Sequence, residues 1–215
     1  MKYTRYTAVF ICLLTYLSIH MSCLAQSSVN GNIMLELHEV TPTMYQTKQT
    51  APSPLTQQIK NPLSYTALSF SQPFLSFGFV VPGESVSREN TLQIQTTQKR
   101  GTSVWILQDK PLSAGTASIT NTTCDTGSCS PSQADVWQSP LTYGFGIRCE
   151  NSESCLSDFS QDHMYRPLTN KTPSLIMKSN DTSYSATILY KINIPASQIP
   201  LPYANTATYL LIPNL

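Results

Sequence analysis

The chain has 215 residues, with thirteen Lys and Arg against twelve Asp and Glu, a formal net charge of +1. That balance supplies no concentrated positive field, which argues against a nucleic-acid partner. Charged residues make up 12% of the sequence, about half of the ~25% usual in globular domains, and Ser, Thr, Asn, Gln and Pro take their place, a surface chemistry that suits exported β proteins.

Lys2 and Arg5 precede an apolar stretch from Ala8 to Ile19, and Ser22-Cys23-Leu24-Ala25-Gln26 places small residues at the −3 and −1 positions of a cleavage site. Residues 1–25 read as a secretory signal peptide. A membrane span needs about 20 predominantly apolar residues; this stretch is shorter and is broken by Thr15, Tyr16, Ser18 and His20. No later segment is expected to span a bilayer, so the expected location is secreted, extracellular or at the cell surface. Of the six cysteines, Cys124, Cys129, Cys149 and Cys155 follow the cleavage site. An even number in an exported chain predicts two disulfides. Three pairings are open. The local ones, Cys124–Cys129 and Cys149–Cys155, are favoured because each closes a short polar loop, and such small rings stabilise by about 2 kcal/mol each.

Residues 26–61 form an N-terminal extension: one candidate strand, Asn32–His38, then a Pro-, Thr- and Gln-rich linker with Pro42, Pro52 and Pro54 and no periodic apolar face. From residue 62 to 215 the period is two. Tyr65–Phe70 alternates, Phe74–Val81 is an apolar run closed by the Pro82-Gly83 turn signal, Ser87–Thr97 is built on Leu92, Ile94 and Thr96, and Ser103–Gln108 follows a turn at Lys99–Thr102. In Ser103–Gln108, Trp105 is expected to pack in the core. Residues 112–172 read as a long insertion that holds all four cysteines, with short apolar pieces at Val136-Trp137 and Leu141–Ile147. Loops of that length carry function or disorder, and the disulfides favour function. Strands return at Ser183–Ile194, where Tyr184, Ala186, Ile188, Tyr190, Ile192 and Ile194 share one face, and at Tyr203–Ile212. The predicted fold is all-β, an Ig-like antiparallel β-sandwich with a disulfide-pinned insertion.

Asp125-Thr126-Gly127-Ser128 carries the tetrapeptide of aspartic proteases, between two cysteines. Those enzymes place the triplet after large apolar residues, so that two carboxylates share a proton in a buried junction. Here Ser118–Thr123 is mostly polar, and Asp with Gly is also what a disulfide-closed turn selects. The turn is the expectation. A four-cysteine zinc site is disfavoured by the spacing and by export. Glu150, Glu153, Asp158 and Asp162 lack a calcium-loop pattern and read as solvated acids. Asp162-His163 has no nucleophile elbow beside it and its members point to opposite faces. No catalytic residue, metal or cofactor is expected. Trp137, with Tyr143 and Phe145 following it in the insertion, either caps the core, the favoured reading, or forms an exposed aromatic platform, which makes the three the candidate contact surface.

Leu75-Ser76-Phe77-Gly78 with Val81-Pro82-Gly83, the Thr91–Thr97 strand, Ser103–Leu107 and the late strands Tyr184–Ile194 and Tyr203–Tyr209 resemble bacterial secreted Ig-like sandwiches of the WxL cell-surface type. Trp105-Ile106-Leu107 matches the Trp-x-Leu signature, and Leu189-Tyr190-Lys191 stands where a second is expected. The resemblance implies envelope association and peptidoglycan contact. The functional expectation is a non-enzymatic binding or adhesion module meeting a cell-wall glycan or surface protein. The alternative is a pilin-like or surface-layer subunit assembling by strand addition, with Asn32–His38 as the strand it donates. Its oligomeric state is left open.

Overall fold

The computed structural model describes residues 29–40, as backbone, and 65–214. The expected signal peptide and Pro-rich linker lie outside the described residues. In chain order the strands are β1 (Val29–Val40), β2 (Thr66–Phe70), β3 (Phe74–Val80), β4 (Val86–Thr96), β5 (Thr102–Gln108), β6 (Leu112–Ala114), β7 (Ala117–Ile119), β8 (Asp135–Val136), β9 (Gly144–Glu150), β10 (Met164–Tyr165), β11 (Ser174–Ser179), β12 (Ser183–Asn193) and β13 (Ala204–Pro213). A single 3-10 turn, Ser157–Phe159, is the sole helical element among the described residues. The protein is all-β.

Two sheets share one core. The larger runs β11-β5-β13-β1-β3, with β6 and β7 attached beside β13; the smaller runs β2-β4-β12-β9. Alternation dictates which side chains meet between them. On β12 Ala186, Ile188, Tyr190 and Ile192 are buried, on β5 Val104 and Ile106, and on β4 Leu92 and Ile94. Across the gap, Phe77 of β3 meets Phe145 of β9 edge-on, Phe145 stacks on Tyr190, and the Tyr190 and Tyr209 hydroxyls hydrogen-bond to each other. That last pair satisfies two polar groups that burial would otherwise leave at a cost of about 1–3 kcal/mol each. Every named strand pair is antiparallel except β1 with β13, which is parallel.

The stretch expected to be an insertion does more than decorate the sandwich. β9 lies inside it and pairs with β12 over its full length, from Thr187↔Glu150 to Asn193↔Gly144. Gly144 opens this strand at φ +134°, and a Cβ there would lie 2.5 Å from the Thr122 backbone nitrogen, so only glycine fits. The rest of the stretch closes the open side of the molecule. Arg166 exchanges backbone bonds with Ile147 of β9, while Leu156 N–H donates to Ile176 and Lys178 N–H to Ser154, beside β11. Both edge strands on that side are thereby covered, which removes the row of unpaired backbone groups that an exposed edge offers to other chains.

Candidate functional site

Both disulfides take the local pairing. Cys124–Cys129 and Cys149–Cys155 each have a Cα separation of 5.7 Å, within the range a disulfide needs. The first closes the Asp125-Thr126-Gly127-Ser128 turn. Gly127 adopts φ +76° there, the left-handed conformation glycine favours. The Asp125 carboxylate accepts the backbone N–H groups of Gln138 and Ser139 at 2.7 and 3.0 Å. Partial burial on its own pushes this carboxyl up, but those N–H groups, the Thr142 hydroxyl and the Lys191 charge together hold it below its ordinary value. Asp125 thus pins one loop of the insertion to the next.

Beneath that loop lies the largest departure from simple alternation. Lys191 and Asn193 sit on the outward, polar face of β12, yet both are buried. The Lys191 ammonium donates to the Trp137 carbonyl at 2.7 Å and lies 4.6 and 5.1 Å from the ring centres of Trp137 and Tyr165, a favourable cation–π arrangement. Burial pulls its pKa below the ordinary lysine value, and Asp125 opposes that shift. The Asn193 amide donates to the carbonyls of Pro140 and Thr142, and the Trp137 indole N–H donates to Thr142 at 3.0 Å. The insertion is therefore fastened to the smaller sheet by side chains that hold its backbone carbonyls.

Arg166 performs the same task toward the larger sheet. It is 3% exposed, pairs with Asp158 through Nε at 2.7 Å, donates to the Leu175 carbonyl at 2.8 Å, and lies 4.6 Å above the Phe159 ring. Asp158 also accepts the Ala134 N–H at 2.6 Å. Of the other acids weighed as calcium ligands, Glu150 and Asp162 both pair with Arg148. Among the described residues no group of three or more His, Cys, Asp or Glu side chains is placed to hold a metal.

Of the two readings of these aromatics, packing holds for Trp137 and Phe145, and the exposed platform does not form. Trp137 and Phe145 are both 0% exposed, and Tyr143 alone, at 36%, reaches the surface. The reason is positional. Phe145 faces the inter-sheet core from β9, and Trp137 is the lid over Lys191, so the three belong to three environments. Trp105 differs in the opposite sense. Val104 and Ile106 take the core face of β5, so Trp105 lies on the outer face of the larger sheet, half-buried. There it lines a groove of about 510 Å³ with Pro131, Ser132, Arg166, Thr172 and Pro173. Its Nε1 is shielded from solvent and has no hydrogen-bond partner among the described residues. The signal available in the sequence was the strict alternation of Val104, Ile106 and Gln108, which leaves Trp105 on the opposite face.

The two disulfides fit an oxidising compartment, and no helix among the described residues is long and apolar enough to cross a membrane. Compared with protein-family models and with curated proteins, the chain matches neither.

Proposed function

We propose that the protein is a non-enzymatic, exported binding module of the cell envelope, an Ig-like sandwich of WxL type, whose contact site is the Trp105 groove and whose ligand is a cell-wall glycan. One observation carries the reading: a half-buried indole lines a groove between a rigid sheet and a loop region that two disulfides and the Arg166 pair hold in place. An indole face suits the apolar side of a sugar ring, and the neighbouring Ser132 and Thr172 carry hydroxyls that suit its polar edge. A preformed site loses little loop entropy on binding. Trp105 is also the tryptophan of the Trp-x-Leu resemblance.

Retention of the purified protein on insoluble cell-wall material tests this. Trp105→Ala is expected to reduce retention about tenfold, the loss of roughly 1.4 kcal/mol, with melting temperature little changed, and Tyr143→Ala to leave retention intact. Undiminished retention of the Trp105 variant would sink the assignment. A second reading, a structural subunit assembling by strand addition, is favoured by a separate observation, the seat of β1 between β13 and β3.

A further inference from the structure

We infer that β1 is an exchangeable strand, and that the slot between β13 and β3 accepts β1 from a second copy of the chain. The inference gives the strand-addition reading a donor and an acceptor, and is independent of the groove.

The slot is internal to the larger sheet, and both of its walls belong to parts of the chain distant from β1 in sequence. β13 is held on its other side by β5 over seven residue pairs, from Ala207↔Gln108 to Pro213↔Thr102. β3 is held on its far side by Arg88 of β4, whose guanidinium donates to the Ser76 carbonyl at 2.8 Å and to the Phe77 carbonyl at 3.5 Å, and the turn after it is tied by Gly83 N–H to the Ile194 carbonyl at 3.0 Å. β13 keeps its place through β5, whereas β3, whose strand pairing among the described residues is with β1, is otherwise held by these bonds to β4 and to the end of β12. What β1 supplies is the pairing for two facing rows of backbone groups, which would otherwise lie unpaired in the middle of a core-bearing sheet. The slot therefore needs a strand, whichever copy provides it.

The register is specific. Leu35 aligns with Leu75 on one side and Asn205 on the other, and Leu37 with Ala207, all three partners being buried positions, whereas Glu36 aligns with Thr206 and Phe74 on the alternate, outward set. A slip by one residue would reverse that match. The pattern is a property of β1 and the slot alone.

The connection permits exchange. β1 ends at Val40, opposite Leu210, near the end of β13 that pairs with Thr102; β2 begins at Thr66, opposite Thr96. Thr102 hydrogen-bonds Tyr184, which pairs with Ile94, so both ends of the connection lie at the same end of the sandwich. Twenty-five residues, 41–65, join them. Such a connection can reach about 80 Å at full extension, while a compact unit of this size is roughly 40 Å across. The chain between β1 and β2 is much longer than its own closure requires and long enough to seat β1 in a neighbour. Within one copy its effective concentration is of millimolar order, so a dilute chain fills its own slot and a crowded array of copies exchanges. Donor and slot are different surfaces, so one-way donation builds open chains and reciprocal donation closed dimers.

Cross-linking of the full mature chain tests this through the outward pair Glu36↔Thr206. The double variant Glu36→Cys/Thr206→Cys is expected to form an internal cross-link on oxidation. Equal amounts of the Glu36→Cys chain and the Thr206→Cys chain, refolded together from urea, are expected to give covalent heterodimers severalfold above either chain alone, rising as concentration goes from micromolar to about 1 mM. An internal cross-link with no heterodimer excess at any concentration would overturn the inference, as would a double variant that fails to cross-link. Oligomers lacking this cross-link would overturn it while leaving assembly through another edge standing.

Discussion

The inter-sheet core and the disulfide-bearing region between β5 and β11 solve the same problem with different chemistry. The core is mostly apolar and redundant: strand after strand contributes aliphatic and aromatic side chains to one interior, and its polar groups, such as the Tyr190–Tyr209 and Thr102–Tyr184 hydroxyl pairs, are paired with one another. The region outside it has a small apolar cluster, Trp137 with Tyr165 and Cys124, and is held by a few polar anchors that each satisfy several backbone groups: Lys191, Asn193, Arg166 and Asp125. A core of the first kind tolerates loss of any one methylene group at graded cost. An anchored loop region concentrates its stability in individual residues, which is how a surface with little apolar area of its own can be kept rigid.

The sharpest way to break this contrast is Trp137→Ala. If the loop region merely rides on the sandwich, global stability stays unchanged. We expect a loss of about 3–5 kcal/mol in urea unfolding, because removing the indole uncovers Lys191 and Asn193 on β12 itself. Arg166→Met comes next. Its loss removes the partner of Asp158, whose side chain is 25% exposed, so the cost should fall somewhat under the 3–5 kcal/mol of a fully buried pair, at about 2–3 kcal/mol. Adding Asp158→Leu should recover part of that loss, since two apolar residues replace a buried pair more cheaply than one orphaned charge is endured. A double variant weaker than the single one would show that Asp158 stabilises the loop mainly by accepting the Ala134 N–H and not by pairing with Arg166.

How far the sequence reveals this molecule follows the same division. β2, β3, β4, β5, β12 and β13 announce themselves by alternation within one or two residues, because half-buried strands must repeat every second position. The local disulfides were legible from spacing and compartment. β9 was hidden: Gly144-Phe145-Gly146-Ile147 is buried on both faces, so it lacks alternation, and its partner across the insertion, Arg166, carries a charge. β11 was missed for a similar reason, with Ile176 and Met177 buried in succession around a register shift. The anchors could not be read at all. Lys191 and Asn193 look like solvated residues on a polar face, and only the fold of residues 137–142 above them makes them buried donors. The placement of Trp105 follows from its neighbours' alternation, which overrides the general preference of tryptophan for cores.

The smallest predicted effect separates the Asp125 anchor from ordinary surface charge. Because the folded-state pKa of Asp125 is depressed, its contribution is present above the unfolded value of about 3.9 and is lost as pH falls through the folded value. Asp125 is exposed, so solvent screening limits that contribution to under about 1 kcal/mol. Asp125→Asn should therefore show a small stability deficit that is constant above about pH 5 and closes below about pH 4, measured as the difference in urea midpoints. Asp135, held low by the Ser128 and Thr126 hydroxyls and the Val136 N–H, keeps its charge in the variant and serves as an internal control for the remaining acid slope. The alkaline limb gives no such separation. There the depressed Lys191 makes stability rise with pH, since the unfolded chain binds the extra proton, while Tyr190 and Tyr209, raised by burial, make it fall. A deficit that persists unchanged to pH 2 would mean that the Asp125 carboxylate acts on Gln138 and Ser139 by shape alone and that its charge contributes nothing.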